Sequence, residues 1–176
     1  YAVDSSQMTH METRMRYELT RADAAFLAAN HADFLELLRD SVAHGASVNF
    51  VMPLTDDVNR AYWQRVTDEV AAGTRIVVAA VAEGRVVGCA HLVPAGTPNG
   101  HHRAEVQKVL VHTSARRQGI AQALMRAVED EARTLGRWLL VLDTEDGSDA
   151  VGLYEKAGYT RCCGVPEFAL SADGSI

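Results

Sequence analysis

Residues 109–121 carry an apolar strand, Val109-Leu110-Val111, through a short basic turn and straight into the start of a helix. A strand that feeds a helix in this way belongs to a crossover unit, so the second half of the chain is committed to an α/β sheet with helices packed on it. The turn itself is an anion site by construction. The first N–H groups of a helix have no intrahelical partner, the helix dipole favours negative charge there, and Gly119 lets a phosphate come close to the main chain. Arg116 and Arg117 add positive charge, and Gln118, Ile120 and Ala121 complete the turn. The segment has no G-x-x-x-x-G-K-[ST] pattern and only one glycine, which argues against a nucleotide triphosphate loop and against a dinucleotide fingerprint.

The rest of the chain agrees with a mixed sheet. Residues 14–19 read as a first strand, and Asp23 caps a helix that carries Phe26, Leu27, Phe34, Leu37 and Leu38 and ends near Gly45. A second helix starts after Thr55, with Val58, Tyr62, Val66 and Val70 at i+4 spacing and Gly73 as its stop. Two β-branched runs, residues 76–82 and 86–93, flank Glu83-Gly84-Arg85 and predict an antiparallel hairpin. Residues 104–111 form the next strand. A helix then runs to about Leu135, followed by a strand at 138–142, a shorter helix at 148–157 and a further strand at 159–163. With 176 residues, 48% of them hydrophobic, one domain of ordinary size is the default, preceded by a polar, aperiodic tail at 1–13.

The net charge of −6 argues against wholesale nucleic-acid or anionic-membrane binding. No apolar stretch approaches the roughly 18 residues that a membrane span needs. Three cysteines, Cys89, Cys162 and Cys163, show no C-x-x-C spacing; the late pair reads as core and edge residues, and a reducing cytoplasm fits best. His91, His101, His102 and His112 lack the pairing with Cys or carboxylate that a metal site uses, so no metal is expected and the loop histidines line a loop. Trp63 and Trp138 read as packing residues.

On these residues the chain resembles the GNAT superfamily of N-acetyltransferases. Arg116, Gly119 and Ala121 match its [RQ]-x-x-G-x-[GA] turn, Glu105 lies on the preceding strand, and residues 150–159 are similar to its A-x-x-L-Y-x-K-x-G-F/Y pattern. The resemblance covers roughly residues 76–159. It implies an α/β GNAT fold: a mixed, mostly antiparallel sheet, splayed at its middle, with helices on both faces. It implies acetyl-CoA as co-substrate, held by the main chain of Val109, Leu110 and Val111 and by the turn at Arg116, Arg117, Gln118, Gly119, Ile120 and Ala121. It also implies direct transfer to an amine, with Glu105 as general base and Tyr154 as general acid. From the residues alone, Tyr154 is equally a helix residue packing on the sheet, and Glu105 a charged strand end.

A closer resemblance, to the tabtoxin-resistance type of GNAT enzyme, rests on residues 45–50, Asn99-Gly100, residues 103–108 and residues 142–148. It implies that Glu105 and Asp143 face the substrate amine. The acceptor is expected to be a small cationic or zwitterionic amine such as a toxin, an antibiotic or an amino-acid-like metabolite. The alternatives are a protein N-terminal or lysine acetyltransferase and a non-catalytic acyl-CoA-binding sensor; monomer and homodimer both stay open. Two departures stand out: Gly147 occupies the place where many relatives carry Asn, and no convincing last strand follows residue 163.

Overall fold

The computed structural model describes residues 15–46 and 48–175. Strand β1 (Glu18–Ala22) leads into α1 (Ala24–Ala29), α2 (His31–Ala43) and α3 (Asp56–Ala71); then come β2 (Ile76–Ala82), β3 (Arg85–Pro94), β4 (Arg103–Val111), α4 (Ile120–Thr134), β5 (Leu139–Val141) and α5 (Asp149–Lys156). The sheet runs β1-β2-β3-β4-β5 in space. Its first three pairings are antiparallel, and β4–β5 is parallel across the α4 crossover, as the strand–turn–helix segment requires.

Strand alternation sorts the core into two layers. On one face Val77, Ala79, Val86 and Cys89 pack with Phe34, Leu37, Leu38, Trp63 and Val66 of α2 and α3. On the other, Ile76, Val78, Ala80, Ala90 and Leu92 pack with Ile120, Leu124, Met125 and Val128 of α4, and Leu153 and Tyr154 of α5 lie against this second layer. Each large aliphatic side chain buried in this way stabilises the fold by about 1.5–3 kcal/mol. Gly88 lets α4 sit close to the sheet: a Cβ there would meet the Leu110 carbonyl oxygen at 2.9 Å and Ile120 Cγ2 at 3.3 Å. The hairpin turn has Glu83 and Gly84 both at positive φ, as a two-residue turn of matching twist demands.

In β4, Gln107 pairs with His91 and Leu110 with Cys89, so three steps on β4 face two on β3. Lys108 takes up the extra residue at φ 51°. This bulge inverts the strand's parity: Ala104 and Val106 face α4 before it, whereas Leu110 joins the α2–α3 layer after it.

Several sequence-based boundaries need correction. The first strand occupies Glu18–Ala22, set by its pairing with Val77 to Val81 of β2, whereas Arg14 lies outside the described residues. The single helix predicted from Asp23 to Gly45 divides at Asn30, whose side-chain Nδ2 donates to the Phe26 carbonyl at 2.9 Å and closes the first segment. The strand at 138–142 shrinks to three residues. The strand at 159–163 is not formed. Gly158 turns the chain at φ 91°, and Arg161 then forms a bidentate pair with Asp146 at 2.9 Å for each nitrogen, a tether that needs no ladder. Cys162 and Cys163 are accordingly exposed, not core or edge residues. Trp138, read as a packing residue, is 77% exposed and stacks on His102, centroids 4.7 Å apart. Trp63 is buried, as its pattern suggested.

Candidate functional site

The chain leaves β4 at Val111 and passes His112 and a 3₁₀ turn at Thr113–Ala115 before α4 begins at Ile120. Two residues of this link take left-handed backbone, Arg117 at φ 65° and Gly119 at φ 81°. Gly119 is the helix N-cap and has no side chain with which to cap it, so the first-turn donors of α4 stay available to a ligand. Arg116 and Arg117 are exposed beside them, and Arg116 Nε donates to the Val111 carbonyl at 3.3 Å. Gln118 Oε1 accepts from the Met15 N–H at 3.2 Å, and the Ile120 side chain is core. These two therefore offer main chain, not side chain, to an anion. Val109 and Val111 are half-buried against the α4 layer and Leu110 is buried in the other; Ala121 is half-buried.

The turn is anchored from behind. Asp40 of α2 accepts from the Thr113 N–H at 2.8 Å and from its hydroxyl at 2.7 Å. Burial alone would raise the Asp40 pKa, but the two Thr113 bonds and the adjacent His112 and His44 outweigh it and hold the group below the usual carboxylate value.

The sheet opens beside Glu105. β4 and β5 pair only at Arg103–Leu139, Ala104–Leu140 and Glu105–Val141; β5 then stops while β4 continues to Val111. A cleft of about 460 Å³ lies there, lined by Glu105, Val141, Arg103, Val93, Pro94 and the loop 95–97. Glu105 is half-buried, and its Oε1 accepts from Gln107 Nε2 at 2.8 Å. A larger cleft of about 610 Å³ opens at the β2–β3 turn, lined there by Asp33, Glu36, Glu83 and Arg85, and reaches His112 and Ser114 of the link before α4.

Lys108, which the sequence reading passed over, projects from the bulge on the same side, its Nζ 5.9 Å from the centre of the Phe50 ring. Burial lowers its pKa and Arg75 lowers it further, while Asp143 and Glu105 act in the opposite sense. Phe50 packs edge-on against Tyr62 of α3, centroids 5.1 Å apart, so the 48–54 loop does approach the bulged strand. Asp143 is exposed beyond β5. It also acts on Tyr154: burial first, then the Asp143 charge, pushes that phenol up to about 12, so Tyr154 keeps its proton at neutral pH. Tyr154 is both a packing residue and a held proton, centroid 6.1 Å from Tyr159. The other two carboxylates of this region look elsewhere: Asp146 is paired with Arg161, and Glu145 accepts from Ser171 at 3.4 Å. Gly147 is left-handed at φ 77°.

His91 is fully buried in β3, held neutral by burial and by Arg75, and His101 and His102 lie in the loop before β4. Among the described residues no three His, Cys, Asp or Glu side chains converge as a metal set, and no helix is long and apolar enough to cross a membrane.

The model of the acetyltransferase (GNAT) family matches the chain over residues 39–159, which include the bulged strand, its parallel neighbour and the glycine-capped helix. The chain belongs to the GNAT family. A curated relative, an uncharacterized N-acetyltransferase of Azospirillum brasilense from the hisH–hisA intergenic region, is 30% identical over 116 residues, 65% of this chain and 67% of that one. Among solved structures, the ribosomal-protein-alanine N-acetyltransferase of Brucella melitensis is similar at TM-score 0.66 and 28% identity, covering 83% of this chain and 86% of that chain. A predicted acetyltransferase of Clostridium acetobutylicum, solved with acetyl-CoA, is similar at TM-score 0.65 and 14% identity, with 88% and 96% covered. This GNAT enzyme is an N-acetyltransferase with acetyl-CoA as its co-substrate.

Proposed function

We propose that the enzyme moves acetyl from acetyl-CoA directly to the primary amine of a small cationic or zwitterionic acceptor. The observation that carries this reading is Glu105: a half-buried carboxylate on the wall of the cleft, where β4 and β5 stop pairing. The acceptor amine gives a proton to Glu105, through water, and its nitrogen attacks the thioester carbonyl carbon. The C–S bond breaks, and the departing thiolate takes its proton from Tyr154. The turn at Arg116 to Ala121 and the main chain of Val109, Leu110 and Val111 hold the carrier, one strand N–H facing the developing oxyanion; a donor placed in that way is worth about 2.7–4 kcal/mol.

Asp143 and Glu105 supply negative potential for an ammonium group, and Lys108 beside them suits an acceptor that also carries a carboxylate. This agrees with the resemblance of residues 45–50, 103–108 and 142–148 to the tabtoxin-resistance type, and toxins, antibiotics and amino-acid-like metabolites are the class to test. Exposed free thiols at Cys162 and Cys163 fit a reducing, cytoplasmic setting. The Brucella likeness favours a second reading, acetylation of a protein N-terminus.

Acetyl-CoA turnover against a panel of amino acids, aminoglycosides, polyamines and N-terminal peptides separates these. Turnover confined to small amines supports the first reading, and preference for peptides replaces it with the second. Acetyl-CoA binding with no turnover on any acceptor would leave a sensor.

A further inference from the structure

Behind Glu105 runs a hydrogen-bonded chain that joins α3, β3 and β4 through the residue just before β2. Arg75, buried just before β2, pairs through Nε with Glu69 Oε2 of α3 at 2.5 Å. Its Nη1 donates to His91 Nδ1 of β3 at 3.1 Å and to Gln107 Oε1 of β4 at 3.0 Å. Gln107 Nε2 then donates to Glu105 Oε1 at 2.8 Å. A guanidinium has donors only, and an ionised carboxylate acceptors only. The amide between them therefore has one workable orientation. Turned over, its NH₂ would face the guanidinium and its oxygen the carboxylate, and both hydrogen bonds would be lost.

We propose that Gln107 is a positioning residue for Glu105, its amide oriented by Arg75 so that it holds one carboxylate oxygen and leaves the other free for the acceptor amine or its water. This rests on the reading of Glu105 as the general base. Gln107 lies two residues after Glu105 on β4 and before the bulge at Lys108, so it is on the same strand face as Glu105 and the two side chains meet without any loop between them. A hydrogen bond donated to a carboxylate favours its charged form, which is the form a base needs. Arg75 is itself immobilised on three sides, and His91, kept neutral, has its Nδ1 lone pair available to accept. Charged or titratable groups facing this chain are Arg65, Glu69 and Tyr62 of α3, Cys89 and His91 of β3, Lys108 of β4 and Asp143 beyond β5.

The test uses the whole enzyme with its best amine acceptor and compares kcat/KM across pH for the parent, Gln107→Met, Glu105→Gln and the double variant. Methionine matches the length of glutamine without its donor. With thermal midpoint and acetyl-CoA KM as in the parent, Gln107→Met should lose roughly ten- to a hundredfold in kcat, the scale of one hydrogen bond to a charged group. Its acid limb should move to higher pH, and the substitution should add nothing in the Glu105→Gln background. If Gln107→Met unfolds because Arg75 has lost an acceptor, Gln107→Glu decides. That variant keeps an acceptor for Arg75 while setting a second carboxylate against Glu105, and should move the limb further in the same direction. A parent-like profile in a folded Gln107 variant, with Glu105→Gln losing its acid limb, overturns the positioning role and leaves the base reading intact. A Gln107→Met loss that persists undiminished in the double variant also overturns it. Parent rates in Glu105→Gln remove the base, and the positioning role falls with it.

Discussion

Asp40 grips Thr113 twice, through the main-chain N–H at 2.8 Å and the hydroxyl at 2.7 Å, and so ties α2 to the link between β4 and the glycine-capped helix. The carboxylate is 8% exposed and is held below its ordinary pKa. A group whose folded value is depressed contributes stability above its unfolded value, near 3.9, and loses that contribution as pH falls through the folded value. Asp40→Asn should therefore lower unfolding free energy by about 1.5–3 kcal/mol at pH 7, the scale of hydrogen bonds to a charged group. Urea melts should show the gap between parent and variant closing below pH 4. A gap that stays constant to pH 3 would show that charge at Asp40 is irrelevant to it.

Gly119 tests the turn proposed to hold acetyl-CoA. At φ 81° a Cβ costs about 1–2 kcal/mol, and a bulky side chain would also stand in front of the first-turn donors of α4. Gly119→Trp should weaken acetyl-CoA binding by at least about tenfold in calorimetry while the melting temperature drops only slightly. Parent affinity in a folded Gly119→Trp would move the site away from this turn.

Tyr154 is kept protonated by the burial that also makes it a weak acid. On the proposed mechanism its help to the leaving sulfur should lie at the lower end of acid catalysis, about 10²-fold in kcat, with acetyl-CoA KM unchanged in Tyr154→Phe. With its proton held up to about 12, Tyr154 should contribute no alkaline limb below pH 10. Pre-steady-state and steady-state rates across pH 6–10 check both statements.

Asp143 and Lys108 should act with opposite sign on acceptor charge. Asp143→Asn should raise KM for a cationic amine far more than for acetyl-CoA, and added salt should blunt the difference. Lys108→Met should lower KM for a purely cationic amine and raise it for an amine bearing a carboxylate. Equal effects on both acceptor types would detach these residues from acceptor binding.

Local chemistry in the sequence determined much of this molecule. Turn residues marked the Glu83-Gly84 hairpin, a β-branched run marked β2, and i+4 spacing marked α3, each almost to the residue. Those signals are local: a turn glycine, a β-branched run or an i+4 repeat needs only its neighbours to declare itself. Tertiary structure decided what depends on partners. The last strand at 159–163 had strand-like composition but gained no neighbour to pair with, and the Arg161–Asp146 pair held the segment instead. The bulge at Lys108 arises from a register mismatch between β3 and β4, which no single strand encodes; it sets the faces on which Gln107 and Leu110 emerge. Arg75, Gln107 and Glu105 are 32 and 2 residues apart in the chain, and only the pairing of β2, β3 and β4 brings the guanidinium to the amide that holds the carboxylate.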